Sequence, residues 1–271
     1  MHKRERIGDI EIAFDDHGHG PAVVMLHPFP FDSRVWADNL PALIGAGHRV
    51  IAIDYPGFGD SPAPATELSV VQLAEVLDGL RDRLGMSTVA LIGLSMGGYV
   101  ALAYARRFPA RLWALVLADT RADADSPAAF QGRADALRAI QDQGVEAYLQ
   151  QSLPRLLATD AAPRDLARVL SLAERRAHTL VAALGALRDR PSRTAELAEI
   201  ACPTLVLAGT ADRVTPPGEM RAMADAISGA RFVEIVRAGH LSNLESSTAF
   251  NDAVVGFLRE ASSLETEMNE P

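Results

Sequence analysis

Six short runs of apolar residues recur along the chain, separated by longer stretches of mixed polarity. The runs cover residues 21–27, 49–54, 87–93, 112–119, 203–209 and 230–236. Each run is almost continuously apolar and rich in Val, Leu and Ile, which is typical of strands buried on both faces of a parallel sheet. The stretches between them have the length and polarity of amphipathic helices. This alternation predicts an α/β fold.

Two local patterns extend this fold. Residues 4–7 and 10–15 flank a Gly-Asp pair that is typical of a tight turn, so we expect an antiparallel hairpin at the edge of the sheet. The hairpin brings the mostly parallel sheet to about eight strands. Ser69 can cap a helix that continues to about Leu84. Helices of this kind are expected on both faces of the sheet.

The alternation stops between residues 121 and 199, where strand-like runs are absent and Ala, Leu and Arg dominate. Ser126 followed by proline is typical of a helix start. We interpret residues 121–199 as a helical cap inserted over one end of the sheet. Residues 1–120 and 200–261 then form the core. The last residues, 262–271, are polar and acidic, and we expect them to be disordered.

The segment Gly93-Leu94-Ser95-Met96-Gly97 follows the third apolar run and precedes a helix-like stretch. It matches the nucleophile elbow, in which a strand turns into a helix so sharply that the serine has a strained backbone. The two glycines are needed because Cβ atoms at these positions would collide. The motif predicts Ser95 as the nucleophile and the Met96 N–H as an oxyanion donor. A capping serine in a glycine-rich turn is the alternative.

A serine hydroxyl needs a general base that is itself oriented by a third group. His240 follows the last apolar run, and the carboxyl ends of parallel strands meet at one edge of a sheet, so we predict His240 as the base. Asp212 follows the fifth run and is the predicted orienting acid, with Asp119 at the end of the fourth run as the alternative. His27 ends the first run, and we interpret it as a structural brace for its loop.

These residues and motifs resemble the α/β-hydrolase family over nearly the whole chain. The order Ser95, Asp212, His240 is the order of that fold. The segments LHPFPFDSRVW, DYPGFGDSPAP, GLSMGG, LADTRA, GTADRVTPP and AGHLSNLE are similar to those of 3-oxoadipate enol-lactonases and carboxylesterases. The resemblance implies an α/β-hydrolase fold and a cofactor-free serine hydrolase that cleaves carboxylic esters or lactones through an acyl-enzyme.

The resemblance also implies a second oxyanion donor in the loop after the first apolar run. Relatives commonly have His-Gly there, whereas this chain has His27-Pro28. Proline has no N–H, so Pro28 cannot donate. The donor in similar esterases is the next residue, which corresponds to Phe29.

Further candidates concern the substrate. Phe31 and Trp36 lie near the predicted oxyanion loop, and Tyr148 lies in the insertion, so all three are candidate substrate contacts. For Phe31 and Trp36, core packing is the favoured interpretation. Arginines of the insertion could bind a substrate carboxylate bidentately, although the sequence singles out none of them. Glu245 is expected to brace the His240 loop or to begin the next helix.

Composition narrows the function classes. The chain has 271 residues, 48% hydrophobic content and a formal net charge of −9, which disfavours nucleic acid and anionic membrane surfaces as partners. No apolar run reaches the roughly 18 residues of a membrane span, and no metal-ligand spacing is present. The Gly-Phe-Gly at 57–59 is not followed by a helix, which argues against a dinucleotide loop. We expect a cytoplasmic enzyme with a small-molecule substrate, no cofactor and no metal.

Three alternatives remain open at the level of sequence. Carbon–carbon bond hydrolases and cofactor-free haloperoxidases or perhydrolases use the same triad on the same fold. A hydrolase-like sensor that binds a small ligand and acts through a protein partner would also keep these residues. Haloalkane dehalogenases and epoxide hydrolases need an aspartate nucleophile, and Ser95 occupies that position here.

Overall fold

One eight-stranded sheet forms the centre of the molecule, with the strand order β1-β2-β4-β3-β5-β6-β7-β8. The computed structural model describes residues 1–269, with side chains up to residue 263. The strands are β1 (His2–Ile7), β2 (Ile10–His17), β3 (Ala22–Leu26), β4 (Arg49–Ile53), β5 (Val89–Leu94), β6 (Leu112–Ala118), β7 (Thr204–Gly209) and β8 (Arg231–Ile235).

The pairing of the strands confirms the predicted sheet. β1 and β2 form an antiparallel hairpin, and β2 also pairs antiparallel with β4. All other neighbours pair in parallel. Every residue of β3, β5, β6 and β7 is buried. Their continuous apolar sequences are explained by this burial, because a central parallel strand has no solvent-exposed face.

The helices pack in groups around this sheet. α3 contacts β3, β5 and β6 and packs against α2, whereas α10 contacts β6 and β8 and packs against α1. The helices are α1 (Leu40–Gly45), α2 (Val70–Arg83), α3 (Met96–Arg107), α4 (Pro127–Gln143), α5 (Val145–Ser152), α6 (Pro163–Leu172), α7 (Ala177–Arg188), α8 (Pro217–Asp225), α9 (Ser242–Glu245) and α10 (Ser247–Asn269).

Helix α2 begins and ends where the sequence predicts. The Ser69 hydroxyl accepts the Gln72 N–H at 3.3 Å, and the Gln72 side chain accepts the Ser69 N–H at 3.0 Å. This reciprocal pair is a capping box, which satisfies two main-chain donors that the first helical turn leaves free. After the helix, Gly85 has a φ of +67°, a conformation that glycine adopts without steric cost.

The chain between β6 and β7 folds into helices α4 to α7 and short 3-10 turns. Several hydrogen bonds, among them the following three, attach it to loops at the carboxyl edge of the sheet. Glu174 N–H donates to Pro30 O after β3, the Thr179 hydroxyl donates to Gly57 O after β4, and His240 N–H, after β8, donates to Leu156 O. The helical segment therefore lies over the edge at which parallel strands deliver their loops.

The sequence predicts disorder for the C-terminal residues 262–271, and that expectation stays a prediction. Helix α10 continues to Asn269, through most of the range 262–271. This range has no Gly and no Pro before Pro271, so nothing in its sequence interrupts the helix that precedes it. Residues 270 and 271 lie outside the described residues. Over residues 1–269, no helix is long and apolar enough to cross a membrane, and no cluster of three or more His, Cys, Asp or Glu could hold a metal ion.

Candidate active site

Ser95 lies between the last residue of β5 and the first residue of α3, in a strained backbone conformation. Its φ of 52° and ψ of −111° fall in a region that side-chain-bearing residues rarely adopt. Two glycines permit this turn. A Cβ atom at Gly97 would lie 2.0 Å from Leu26 O, and one at Gly93 would lie 2.5 Å from Gly97 O. Larger residues at either position would therefore break the turn that carries Ser95.

The structure brings Ser95, His240 and Asp212 together from the ends of three strands. The Ser95 hydroxyl lies 2.7 Å from His240 Nε2, and His240 Nδ1 lies 2.8 Å from Asp212 Oδ2. His240 and Asp212 are both buried, whereas Ser95 is partly exposed. This arrangement has the geometry of an activated serine, in which an oriented imidazole can accept the hydroxyl proton.

Main-chain donors hold Asp212 in place. Its Oδ1 accepts the N–H of Val214 at 2.7 Å and the N–H of Thr215 at 3.0 Å. Burial acts to raise the pKa of Asp212, but the charge of His240 and the hydrogen bonds from His240 and Thr215 outweigh burial and lower it. Asp212 is therefore an ionised acceptor for the imidazole N–H.

The contact between Asp212 and His240 also shifts the pKa of His240. Burial acts to lower the pKa of His240, but the charge and hydrogen bond of Asp212, with a smaller contribution from the charge of Asp119, raise it above 6.5. A raised pKa means that the site stabilises the imidazolium ion. That is the property required of a base that takes a proton from Ser95 during the reaction.

Asp119, the alternative acid, contacts other groups. Its Oδ1 accepts the Gly209 N–H at 2.8 Å, and its Oδ2 accepts the N–H and hydroxyl of Ser242. Burial, followed by the nearby charge of Asp212, raises the pKa of Asp119 to about 7. Asp119 also has a positive φ of 44°, so it adds a second strained position close to the site. The carboxylate bonded to His240 is that of Asp212.

His27 braces the loop after β3. Its Nε2 accepts the Tyr55 N–H at 3.1 Å, so its Nδ1 carries the proton and donates to Pro28 O at 3.1 Å. Burial lowers the pKa of His27, which is consistent with a neutral ring between two fixed partners. Within residues 1–269, no protein group accepts the N–H of Phe29 or of Met96. Both of the predicted oxyanion donors are therefore available to a ligand.

Glu245 ties the His240 loop to the helical segment. Its two carboxylate oxygens accept the N–H of Gly239 and the N–H of Ala158, each at 2.8 Å. Burial raises the pKa of Glu245, and these main-chain donors partly offset the rise. The loop is held a second time by the His240 N–H, which donates to Leu156 O at 2.8 Å. His240 is thus positioned in part by the inserted helices.

The three candidate substrate contacts, Phe31, Trp36 and Tyr148, pack within the protein. Phe31 and Trp36 are fully buried, and the Trp36 ring packs 6.3 Å from the ring of Phe250. Tyr148 is half-buried and packs against the hydrophobic core. None of the three lines the cavity described next. Core packing, the favoured interpretation, accounts for Phe31 and Trp36, because their loop folds back into the protein interior.

A cavity of about 210 Å³ opens beside Met96, the residue that follows Ser95. Its walls come from the loop between β4 and α2 and from helix α7, and most of the lining residues are apolar. They include Tyr55, Phe58, Leu73, Ala183 and Leu187. Sequence reasoning missed this cavity, because it depends on where α7 lies relative to a loop more than a hundred residues away. The only signal was the Pro- and Ala-rich composition of residues 56–65.

A comparison with models of protein families identifies the family of this chain. Residues 21–247 match the family model described as the alpha/beta hydrolase fold. The chain belongs to the α/β-hydrolase family. This assignment agrees with the eight-stranded sheet and with the resemblance found in the sequence. An α/β hydrolase of this kind acts on a small molecule.

Individual members of the α/β-hydrolase family are similar to this chain over almost their full length. A thermophilic esterase from Thermogutta terrifontis has a TM-score of 0.89 at 34% identity, covering 96% of this chain and 99% of the esterase. The enol-lactonase from Burkholderia xenovorans LB400 has a TM-score of 0.87 at 29% identity, covering 95% and 100%. A 2-hydroxy-6-oxononadienedioate/2-hydroxy-6-oxononatrienedioate hydrolase of Paraburkholderia xenovorans is 31% identical, covering 94% and 93%.

One relative is much longer than this chain. The polyketide synthase ThaQ of Burkholderia thailandensis is 34% identical over 251 residues, which is 90% of this chain but 12% of the synthase. The α/β-hydrolase fold therefore also occurs as a module within a larger protein.

Proposed function

We propose that this α/β hydrolase cleaves carboxylic esters or lactones through an acyl-enzyme. The observation that carries the proposal is the continuous hydrogen-bonded chain from the Ser95 hydroxyl through His240 to Asp212. The similarity to an esterase and to an enol-lactonase supports the same substrate class.

In the first half of the reaction, Ser95 Oγ attacks the carbonyl carbon while His240 Nε2 takes the hydroxyl proton. The carbonyl oxygen becomes an oxyanion, which accepts hydrogen bonds from the N–H groups of Met96 and Phe29. Asp212 stabilises the imidazolium ion that forms. When the carbonyl is restored, the carbon–oxygen bond to the alcohol breaks, and His240 gives its proton to the leaving oxygen.

The second half repeats these roles with water. His240 removes a proton from a water molecule, and the hydroxide attacks the acyl carbon. The bond to Ser95 Oγ then breaks, His240 returns the proton to the serine, and the acid leaves. A lactone follows the same steps, except that the alcohol and the acid remain in one product.

The test is hydrolysis of p-nitrophenyl acetate by the wild type and by Ser95→Ala. We expect kcat to fall by about 10³-fold to 10⁶-fold, because the nucleophile and its base act as a unit. Ser171→Ala, an exposed serine of helix α6, is the matched control and should keep wild-type activity. Unchanged turnover in Ser95→Ala would contradict the proposal.

Carbon–carbon bond hydrolysis is the second candidate, because a relative at 31% identity carries the name of such a hydrolase. The name of that relative specifies a dioate, which has two carboxylates, whereas no arginine or lysine lines the cavity beside Met96. Assays on a ring-cleavage product and on monochlorodimedone distinguish this reaction and haloperoxidation from ester hydrolysis. If every ester and lactone remained uncleaved while a ligand bound, the sensor alternative would be favoured.

A further inference from the structure

We propose that the cavity beside Met96 receives the acyl chain of the substrate, that this chain is uncharged, and that acyl chains ending in a carboxylate are rejected. The inference rests on the proposed ester hydrolysis and specifies its substrate class. An engineered protein cavity of about 150 Å³ holds benzene, which has six carbon atoms. By the same proportion, a cavity of about 210 Å³ holds about eight carbon atoms.

The position of the cavity selects the acyl side of the ester. Met96 lines the cavity, and its N–H is the proposed donor to the carbonyl oxygen. The alcohol oxygen must lie near His240, which gives it a proton. No residue of the loop 237–241, which carries His240, or of helix α9 after it lines the cavity. The chain that enters the cavity is therefore the one attached to the carbonyl carbon, on the side away from His240.

No lysine or arginine lies in the walls of this cavity. Its titratable lining residues are Tyr55, Glu67 and His178. The Tyr55 hydroxyl is buried and is not exposed at the cavity surface, whereas Glu67 and His178 are exposed. The hydroxyl of Thr179, another lining residue, already donates to Gly57 O at 2.8 Å. A carboxylate in the cavity would meet apolar side chains and the negative charge of Glu67.

Lys3 and nearly all arginines of the insertion are engaged in ion pairs away from this cavity. Lys3, the one lysine of the sequence, pairs with Asp16 in the edge hairpin. Every arginine of residues 121–199 except Arg155 forms an ion pair with a carboxylate. The pairs include Arg168 with Asp38, Arg176 with Glu174, and Arg190 with Asp125. Arg155 is exposed and does not line the cavity. The arginines of the insertion are therefore not placed to bind a substrate carboxylate here.

A buried carboxylate without a partner is strongly disfavoured, because it loses its hydration and gains no hydrogen bonds in return. An alkyl chain of the same length gains free energy from burial in the same place. The two effects act in opposite directions on the two chains. The enzyme should consequently discriminate by charge more strongly than by length.

The experiment compares p-nitrophenyl hexanoate with mono-p-nitrophenyl adipate, which has the same six acyl carbons but ends in a carboxylate. At pH 8, we expect kcat/KM to be at least about 100-fold lower for the adipate. In a series of neutral esters, kcat/KM should rise from acetate to hexanoate or octanoate and fall at dodecanoate. Equal kcat/KM values for hexanoate and adipate would overturn the proposal.

A variant tests the location of the acyl chain. Ala183 lies on helix α7 and lines the cavity, so Ala183→Arg places a cation at its wall. We expect the hexanoate-to-adipate ratio to fall by about 10-fold or more in Ala183→Arg and not in Ala183→Met, a neutral residue of similar length. Thermal melting verifies that both variants fold. An unchanged ratio in folded Ala183→Arg would show that the chain binds elsewhere.

A binding measurement separates this inference from the proposed function. If neither ester is hydrolysed, the proposed hydrolysis fails, and the cavity is then tested in Ser95→Ala with methyl hexanoate and monomethyl adipate by calorimetry. Preferential binding of methyl hexanoate would support the uncharged cavity. Equal binding of the two would overturn it.

Discussion

Asp119 and Asp212 are two buried carboxylates that follow adjacent parallel strands, but they hold different partners. Asp212 accepts the Nδ1–H of His240 at 2.8 Å, whereas Asp119 accepts the Gly209 N–H and the two donors of Ser242. Asp212 therefore orients the His240 imidazole directly. Asp119 joins the end of β7 to helix α9, which follows the His240 loop, and so fixes the end of that loop.

This difference predicts a pH-dependent effect of Asp119→Asn on stability. The pKa of Asp119 is raised to about 7 in the folded protein, from 3.8 as its ordinary value. Between these values the folded state binds more protons than the unfolded state, so the contribution of Asp119 to stability falls as the pH rises. Asparagine does not titrate, so the stability of Asp119→Asn does not fall with pH in this way. The unfolding free energy of Asp119→Asn relative to wild type should therefore increase by about 2 kcal/mol from pH 5 to pH 8.

Urea denaturation at the two pH values measures this difference. Asp160→Asn, a change at an exposed aspartate of the insertion, is the control and should show no such dependence. A difference between Asp119→Asn and wild type that stays constant from pH 5 to pH 8 would show that the Asp119 carboxyl does not titrate in this range.

The environment of His240 predicts the acid limb of the pH–rate profile. The pKa of His240 is raised above 6.5, so kcat/KM should fall as the pH decreases through a midpoint above 6.5. Asp212→Asn removes the charge that raises this pKa and leaves the imidazole poorly oriented. We expect kcat to fall by about 10³-fold to 10⁴-fold and the remaining activity to have a lower midpoint. A profile that is flat from pH 5 to pH 8 would exclude His240 as the base.

Because Glu245 links the His240 loop to the inserted helices, we expect these helices to contribute to catalysis. Glu245→Gln replaces one accepting oxygen by an amide group that faces either the Gly239 N–H or the Ala158 N–H. Two donors then face each other, so we expect a stability loss of about 1–3 kcal/mol and a lower kcat. Steady-state kinetics and thermal melting measure both effects. Full activity in Glu245→Gln would mean that this link does not position His240.

Tyr55 and Tyr104 form a matched pair for stability. The Tyr55 hydroxyl is buried and has no hydrogen-bond partner within residues 1–269, whereas the Tyr104 hydroxyl donates to Asp78 at 2.8 Å. Removing an unsatisfied hydroxyl relieves a desolvation cost, so Tyr55→Phe should raise the unfolding free energy by about 1 kcal/mol. Tyr104→Phe should lower it by a similar or larger amount. Equal losses in the two variants would contradict this difference.

The fold and the juxtaposition of Ser95, His240 and Asp212 were predictable, because apolar runs and a local motif indicate them. The apolar runs are long enough to be strands buried on both faces, and a serine between Gly93 and Gly97 fits a turn that excludes Cβ atoms. Packing was the favoured interpretation of Phe31 and Trp36, and both are buried, although an aromatic residue in a loop can also face a ligand. The cavity and the Glu245 link arise from contacts between distant segments, which neither periodicity nor motifs encode.

The central claim is that Ser95 is the activated nucleophile of this site. A fluorophosphonate probe reacts covalently with such a serine, and mass spectrometry of the digested protein identifies the labelled peptide. We expect the label on the peptide that contains Ser95, with labelling greatly slowed in His240→Ala. A label on a different serine, or unmodified Ser95 in protein that still hydrolyses esters, would contradict the account.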